Sequence, residues 1–303
     1  MEQAKRVIAL GFFDGVHLGH AALLRRVAER AEELGAVPAA VTFDGHPENV
    51  ISGQVRVPLI NSPADRGGLM ERLYGIREVI TAHFDRAMMR MDWRDFVTEY
   101  LVREHGAVHL VAGHDFRFGY RGEGTPQRLQ ALCGELGVGC DIVPRVELDG
   151  VTVSSTHIRA LIAQGEMEEA VRFLGHPHVL SGPVVHGAEL GRTLGTPTAN
   201  LALPEGVLSP AFGVYACKVT LPDGAERPAV TNVGVRPTVS DARTVSVEPW
   251  ILDYSGGLYG RTIRLEFYKQ LRPERKFASV EELRAAILEN AAQTRAYFAG
   301  IKR

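Results

Sequence analysis

VIALGFFDGVHLGHAALLRRVAERAEELGAVPAAVTF, residues 7–43, sets one apolar run against a glycine-punctuated turn, a long amphipathic stretch and a second apolar run. VIALGFF (7–13) and AAVTF (39–43) have the texture of strands buried on both faces. Between them apolar positions recur at helical spacing over residues 21–34, and Gly35 ends the pattern. The stretch reads as a βαβ unit. Further strand candidates at 78–80, 108–112 and 139–143 alternate with helical stretches at 93–105 and 127–136. That alternation predicts a parallel sheet with helices on both faces, binding its ligand at the C-terminal strand ends. Two short helices follow, one over 155–165 and one over 166–174 with Gly175 as its C-cap.

At 303 residues the chain exceeds one hydrophobic core, and its texture changes after Pro177. Short β-branched and aromatic runs take over: VLSGPVV (179–185), GVYACKVTL (213–221), AVTNVGV (229–235), TVSVEPWIL (244–252) and TIRLEFYKQL (262–271). Their spacing predicts a barrel or sandwich. A terminal amphipathic helix is announced by Ser279 three residues before Glu282, a capping-box spacing. The expected division is 1–176 and 177–303.

A formal net charge of -2 argues against nucleic acid as a partner, since phosphate-backbone binding needs a basic stripe. Small anions remain open to it, because helix N-termini and a few Arg or His suffice to hold them. The three cysteines show no CxxC pairing, which speaks against a zinc site or a disulfide framework and for a reducing, cytoplasmic setting. No apolar run is long enough to read as a membrane span.

In GFFDGVHLGH (11–20), His17 and His20 fall three apart at the start of the first helix, where unpaired N–H groups and the helix dipole favour a phosphate. Attack on an α-phosphate needs orientation and charge stabilisation, which two imidazoles can supply. By spacing alone the pair also reads as a metal pair, or as a turn cap and a core histidine.

GFFDGVHLGH resembles the HxGH signature of the nucleotidyltransferase superfamily, in the form found in bacterial FAD synthetases. TFDGHP (42–47), GHDFRFG (113–119) and SSTHIR (154–159) match further motifs of that family in order. The resemblance implies a Rossmann-like α/β domain in which His17 and His20 bind the phosphates of ATP and act in catalysis. It assigns Ser155, Thr156 and Arg159 to the nucleotide, as the start of a phosphate-gripping helix, and Asp115 to a position near nucleotide and flavin. Phe116 and Phe118 read as core. Gly45 departs from the family's usual Pro before His46.

GRTLGTPTANL (191–201) resembles the PTAN motif of riboflavin kinases. GVYACKV (213–219), TNVGVRPT (231–238), VEPWILDY (247–254), LYG (258–260) and LRPERKF (271–277) follow in that family's order. This implies a six-stranded antiparallel barrel with a C-terminal helix. Thr198 and Asn200 would hold the Mg²⁺ of ATP, and Glu248 would be the base for the riboflavin 5′-hydroxyl. Hard oxygens suit that ion, with water and phosphate completing its shell. Thr196, Pro249 and Trp250 depart from the family's pattern.

Together the motifs predict a bifunctional enzyme that phosphorylates riboflavin to FMN and adenylylates FMN to FAD. Its partners would be riboflavin, FMN and ATP. Two other readings stay open at this level: a nucleotidyltransferase for another substrate with a flavin-sensing barrel, and a flavin-binding paralogue without catalysis.

Overall fold

The computed structural model describes residues 3–186, 196–236 and 244–300. Residues 191–195 of the GRTLGTPTANL motif, and Pro237 and Thr238 of TNVGVRPT, lie outside the described residues. The chain forms two compact units, one of residues 1–59 and 63–155, the other of 60–62 and 156–303.

In the first unit β1 (Arg6–Leu10), α1 (Leu18–Leu34) and β2 (Val37–Phe43) form the expected βαβ element. The first strand stops at Leu10 rather than running to Phe13, because Phe13 adopts a left-handed backbone (φ 55) that no strand accommodates. After α2 (Pro47–Ser52) and α3 (Pro63–Tyr74) comes β3 (Glu78–Ala82). Then follow α4 (Arg86–Arg90), α5 (Trp93–Asp95) with its π-helical continuation Phe96–Glu104, β4 (Ala107–Gly113), α6 (Pro126–Leu136) and β5 (Gly139–Val143).

The sheet order is β3-β2-β1-β4-β5, every pairing parallel. Both faces are covered: Val7 and Ala9 point one way, Ile8 and Leu10 the other, and none is more than 1% exposed. Ile8, Leu10, Leu110 and Ala112 pack with Phe96, Leu101, Leu129 and Leu132 from the π-helix and α6. Strand order reverses between β1 and β4, so the crevice at their carboxyl ends is the topological switch point. The segments after these two strands are GFFDGVHLGH and GHDFRFG.

A hairpin of β6 (Glu147–Leu148) and β7 (Val151–Thr152) precedes α7 (Ser155–Gln164), and the boundary between the units falls inside α7, after Ser155. In the second unit α8 (Met167–Leu174) packs on β13 (Thr262–Pro273) and β8 (His178–Val185). With β9 (Asn200–Leu201), β10 (Gly213–Thr220), β11 (Glu226–Arg236) and β12 (Thr244–Ile251), these strands close a six-stranded antiparallel barrel in the order β10-β11-β12-β9-β8-β13. Closure leaves no open sheet edge. A side chain at Gly182 would run into the carbonyl oxygen of Ala202, so only glycine lets that segment lie so close to β8.

α9 (Val280–Gly300) ends the described chain. Ser279 Oγ accepts the N–H of Glu282 at 3.1 Å, as the capping spacing predicts, and the Glu282 carboxylate accepts the N–H of Ala278, one residue before the cap, at 3.0 Å. Among the described residues no helix is long and apolar enough to cross a membrane.

Candidate active sites

The turn from β1 to α1 is held in an unusual backbone conformation. Phe13 (φ 55) and Val16 (φ 43) are both left-handed and fully buried, with Gly15 (φ 84) between them. A bulky or β-branched residue is rarely found there, at a cost of about 1–2 kcal/mol each. Strain of this kind persists where surrounding contacts over-determine it, and it gathers at ligand sites.

His17 is the N-cap of α1 and its Nδ1 accepts the N–H of His20 at 3.3 Å. An accepting Nδ1 puts the ring proton on Nε2, which is thereby a donor. The imidazoles of His17 and His20 stack at 3.6 Å, and Phe13 meets His20 edge-on at 5.1 Å. A Cβ at Gly19 would come within 3.1 Å of the His17 ring, so the glycine of HxGH is what lets that ring lie over the first turn of the helix. Burial first, then the charges of His17 and Arg66, hold the His20 imidazole well below its usual range. It is neutral at pH 7, with a buried Nδ1 that has no hydrogen-bond partner among the described residues.

Four other expected residues sit as follows. Ser155 Oγ donates to Asp14 O at 2.8 Å, which fastens the start of α7 to the GFFDG turn within the first unit. Thr156 is exposed and Arg159 half-buried, both in the first turns of α7. Asp115 is exposed in the turn after β4, its Oδ1 lying 3.8 Å from His114 Nδ1.

Two features escaped the sequence reading. A cavity of about 450 Å³ in the first unit is lined by Phe43, Ile51, Phe84, Met88, Met89, Phe96, Phe116 and Phe118, with Arg117 and Arg121 at its polar side. Phe118 is a core residue, as expected, yet it and Phe116 also face this space. Beneath the turn lies Arg66 of α3, fully buried, bonded to Phe12 O, Thr42 Oγ1 and Phe43 O.

In the second unit Thr198 and Glu248 line one cavity of about 350 Å³, together with Thr196, Asn232, Trp250, Arg272 and Arg275. They meet because Ala199 N–H donates to Pro249 O at 2.9 Å, which ties the PTAN segment to β12 beside Glu248. Pro249 has no N–H to give, but its carbonyl suffices for this bond. Thr198 also lines a second cavity of about 270 Å³, with Ile251, Tyr254, Leu258 and Tyr259. Tyr259 stacks on His186 at 3.9 Å.

Asn200 does not share the Glu248 cavity. It begins β9, is 7% exposed, and lines a separate space of about 380 Å³ with Leu201, Ser209 and Ser246. The extended alternation that would put Thr198 and Asn200 on one side begins only at Asn200, since residues 196–199 form no strand.

Among the described residues no group of three or more His, Cys, Asp or Glu is placed to hold a metal, so a metal pair at His17 and His20 would lack a third such ligand.

A family model described as FAD synthetase matches residues 1–157, and one described as riboflavin kinase matches residues 174–298. The chain is 37% identical to a bifunctional riboflavin kinase/FMN adenylyltransferase of Listeria monocytogenes, covering 98% of this chain and 94% of that protein. It is 35% identical to the protein of the same name from Bacillus subtilis (100% and 95% covered), and 36% to that from Escherichia coli K12 (96% and 92%). A solved structure described as a macrolide-efflux protein from Streptococcus pneumoniae superposes with a TM-score of 0.86 at 30% identity, over 97% of this chain and 95% of that one.

Proposed function

The chain belongs to the family of bifunctional riboflavin kinases/FMN adenylyltransferases, and on that premise we propose how its residues divide the work. It makes FAD in two ATP-dependent steps: riboflavin is phosphorylated to FMN, and FMN is adenylylated with release of pyrophosphate. We assign adenylylation to residues 1–176 and phosphorylation to 177–303. The observation that carries the assignment is that His17 and His20 stack at the turn from β1 to α1 in the first unit, whereas Thr198 and Glu248 line one cavity in the second.

In adenylylation a phosphate oxygen of FMN attacks the α-phosphorus of ATP and pyrophosphate leaves. No proton has to move, so the enzyme's task is alignment and charge stabilisation. His17 donates through Nε2–H beside the N–H groups that open α1, with the neutral His20 imidazole stacked on it as the second histidine at the phosphates. Ser155, Thr156 and Arg159 open α7 with N–H groups, hydroxyls and a guanidinium, a set suited to a nucleotide phosphate. Asp115 supplies an acceptor at the end of β4 for a hydroxyl or amino group. The aromatic and methionine cavity suits the flat ring system of the flavin.

In phosphorylation Glu248 takes the proton of the riboflavin 5′-hydroxyl as that oxygen attacks the γ-phosphorus, and ADP departs. Thr198 stands in the lining of both neighbouring cavities, which supports flavin on the Glu248 side and nucleotide on the Tyr259 side. The oxygens of Thr198 and Asn200 are hard donors that fit Mg²⁺. Bound there, the ion would neutralise charge on the polyphosphate.

Riboflavin, FMN and ATP are thus the partners, and the net charge of -2 supports no role for nucleic acid. Cys133, Cys140 and Cys217 are free thiols, which supports a reducing, cytoplasmic setting. The test is direct: pure protein is incubated with riboflavin, ATP and Mg²⁺, and the flavins are resolved by chromatography. FMN followed by FAD is expected. A folded preparation that leaves riboflavin and FMN both unchanged overturns the reading.

A further inference from the structure

We propose that Arg66 is a positioning residue for adenylyl transfer: its buried guanidinium clamps the carboxyl ends of β1 and β2 together and thereby fixes the turn that presents His17 and His20. The inference rests on the assignment of adenylylation to the first unit.

Arg66 is 0% exposed. Its Nη1 donates to Phe12 O at 2.9 Å, to Thr42 Oγ1 at 2.8 Å and to Phe43 O at 2.9 Å. Thr42 Oγ1 donates in turn to Phe12 O at 2.8 Å. Phe12 lies just beyond β1, and Thr42 and Phe43 end β2, so one planar cation joins two neighbouring strand ends at the floor of the crevice. The guanidinium also lies 4.5 Å from the centre of the Phe12 ring, fixing that residue by both backbone and side chain.

The next residue is Phe13, the first of the two left-handed non-glycine residues in the turn. Contacts that over-determine such a backbone have to come from outside it, and the two donors on Phe12 O are placed to supply them. A neutral side chain would have been the cheaper filler. Burying a guanidinium costs several kcal/mol, and here Nε and Nη2 are buried without hydrogen-bond partners among the described residues. The carboxylate of Asp14, inside the same turn, is the counter-charge it feels. A charge kept at that cost beneath an anion-binding turn is accounted for if the geometry of the turn depends on it.

The experiment measures kcat and KM for FMN adenylylation in wild type, Arg66→Met, Arg66→Lys and Thr42→Val, with riboflavin phosphorylation by the same preparations as internal control. Arg66→Met is expected to lower adenylylation kcat roughly 100-fold, the scale of a misplaced reacting group. KM for ATP and FMN should stay within about threefold, because ground-state contacts survive. Phosphorylation should be unchanged. Arg66→Lys should recover about tenfold of the loss, since an ammonium can keep part of the bonding but not the planar fork. The inference is overturned if Arg66→Met keeps its kcat, if Lys does no better than Met, or if both activities fall together. Should Arg66→Met fail to fold, Thr42→Val decides: about a tenfold lower adenylylation kcat supports the clamp, and an unchanged kcat overturns it. A wild-type chain unable to adenylylate FMN overturns the functional assignment itself, an outcome distinct from active wild type with indifferent variants.

Discussion

Asn232 stands directly opposite Glu248 across the ladder between β11 and β12, and both side chains line the cavity that Thr198 also reaches. Directly opposed residues share a face of the sheet, so an amide is held next to the carboxylate assigned the role of base. The neighbouring pair, Thr231 and Pro249, continues the ladder, and Pro249 passes the bonding on to Ala199.

Glu248→Gln keeps the size of the side chain but cannot accept the hydroxyl proton. Riboflavin phosphorylation should drop by roughly 10²–10⁴-fold while FMN adenylylation continues. Separate assays starting from riboflavin and from FMN check this. Equal loss in both would refute the placement of the base.

His20→Ala removes one of the stacked imidazoles. FAD formation from FMN should be lost to below about one part in a hundred of wild type, with phosphorylation intact. Chromatography of a riboflavin incubation would then show FMN accumulating and no FAD. Normal FAD output from this variant would remove the histidine pair from the mechanism.

Phe84→Ala opens the aromatic cavity of the first unit, where Phe43 and Phe84 meet edge-to-face at 5.4 Å. The KM for FMN in adenylylation should rise about tenfold, the worth of one aromatic contact, with the riboflavin KM of the kinase unaltered. A changed ATP KM with an unmoved FMN KM would say that the cavity serves the nucleotide instead.

His178 in β8 is fully buried, with neither ring nitrogen hydrogen-bonded among the described residues. Burial first, and then the charge of His176, push its imidazole down to about 3. Because the folded value lies below the ordinary one near 6.5, the unfolded chain binds the extra proton, and stability falls as pH drops from about 6.5 toward 3. At pH 5 the penalty is about 2 kcal/mol. His178→Leu should therefore flatten the loss of Tm between pH 7 and pH 5. An equally steep loss in the variant would show that other groups carry the acid sensitivity.

The elements that depend on local pattern were legible. β5 falls on residues 139–143 as read, and the Ser279 and Glu282 cap forms. α1 begins at Leu18 rather than residue 21 because His17 itself is the cap, a role the usual Ser, Thr, Asp and Asn preference hides. α3 was overlooked. Gly67 and Gly68 in its interior depress helix propensity, and tertiary packing overrides them, so Arg66 went unnoticed with it. The segment Ser62, Pro63 was the signal available, a cap residue followed by Pro in the first helical position. The π-helical turn from Phe96 to Glu104 departs from the 3.6 period on which sequence reading relies. Motifs proposed the site residues, but which of them line a common cavity could not be read from the sequence. That Thr198 and Asn200 look into different spaces follows from where β9 begins.

The left-handed residues between β1 and α1 also bear on how this sequence can drift. A chain that turns through Phe13, Gly15 and Val16 with three positive φ angles has a fixed residue count between strand end and helix cap, since one insertion would swing the cap away from the crevice. Substitutions there are filtered by dihedral tolerance before any ligand is met, so the spelling of FDGVHLGH records a mechanical joint as much as a chemical one.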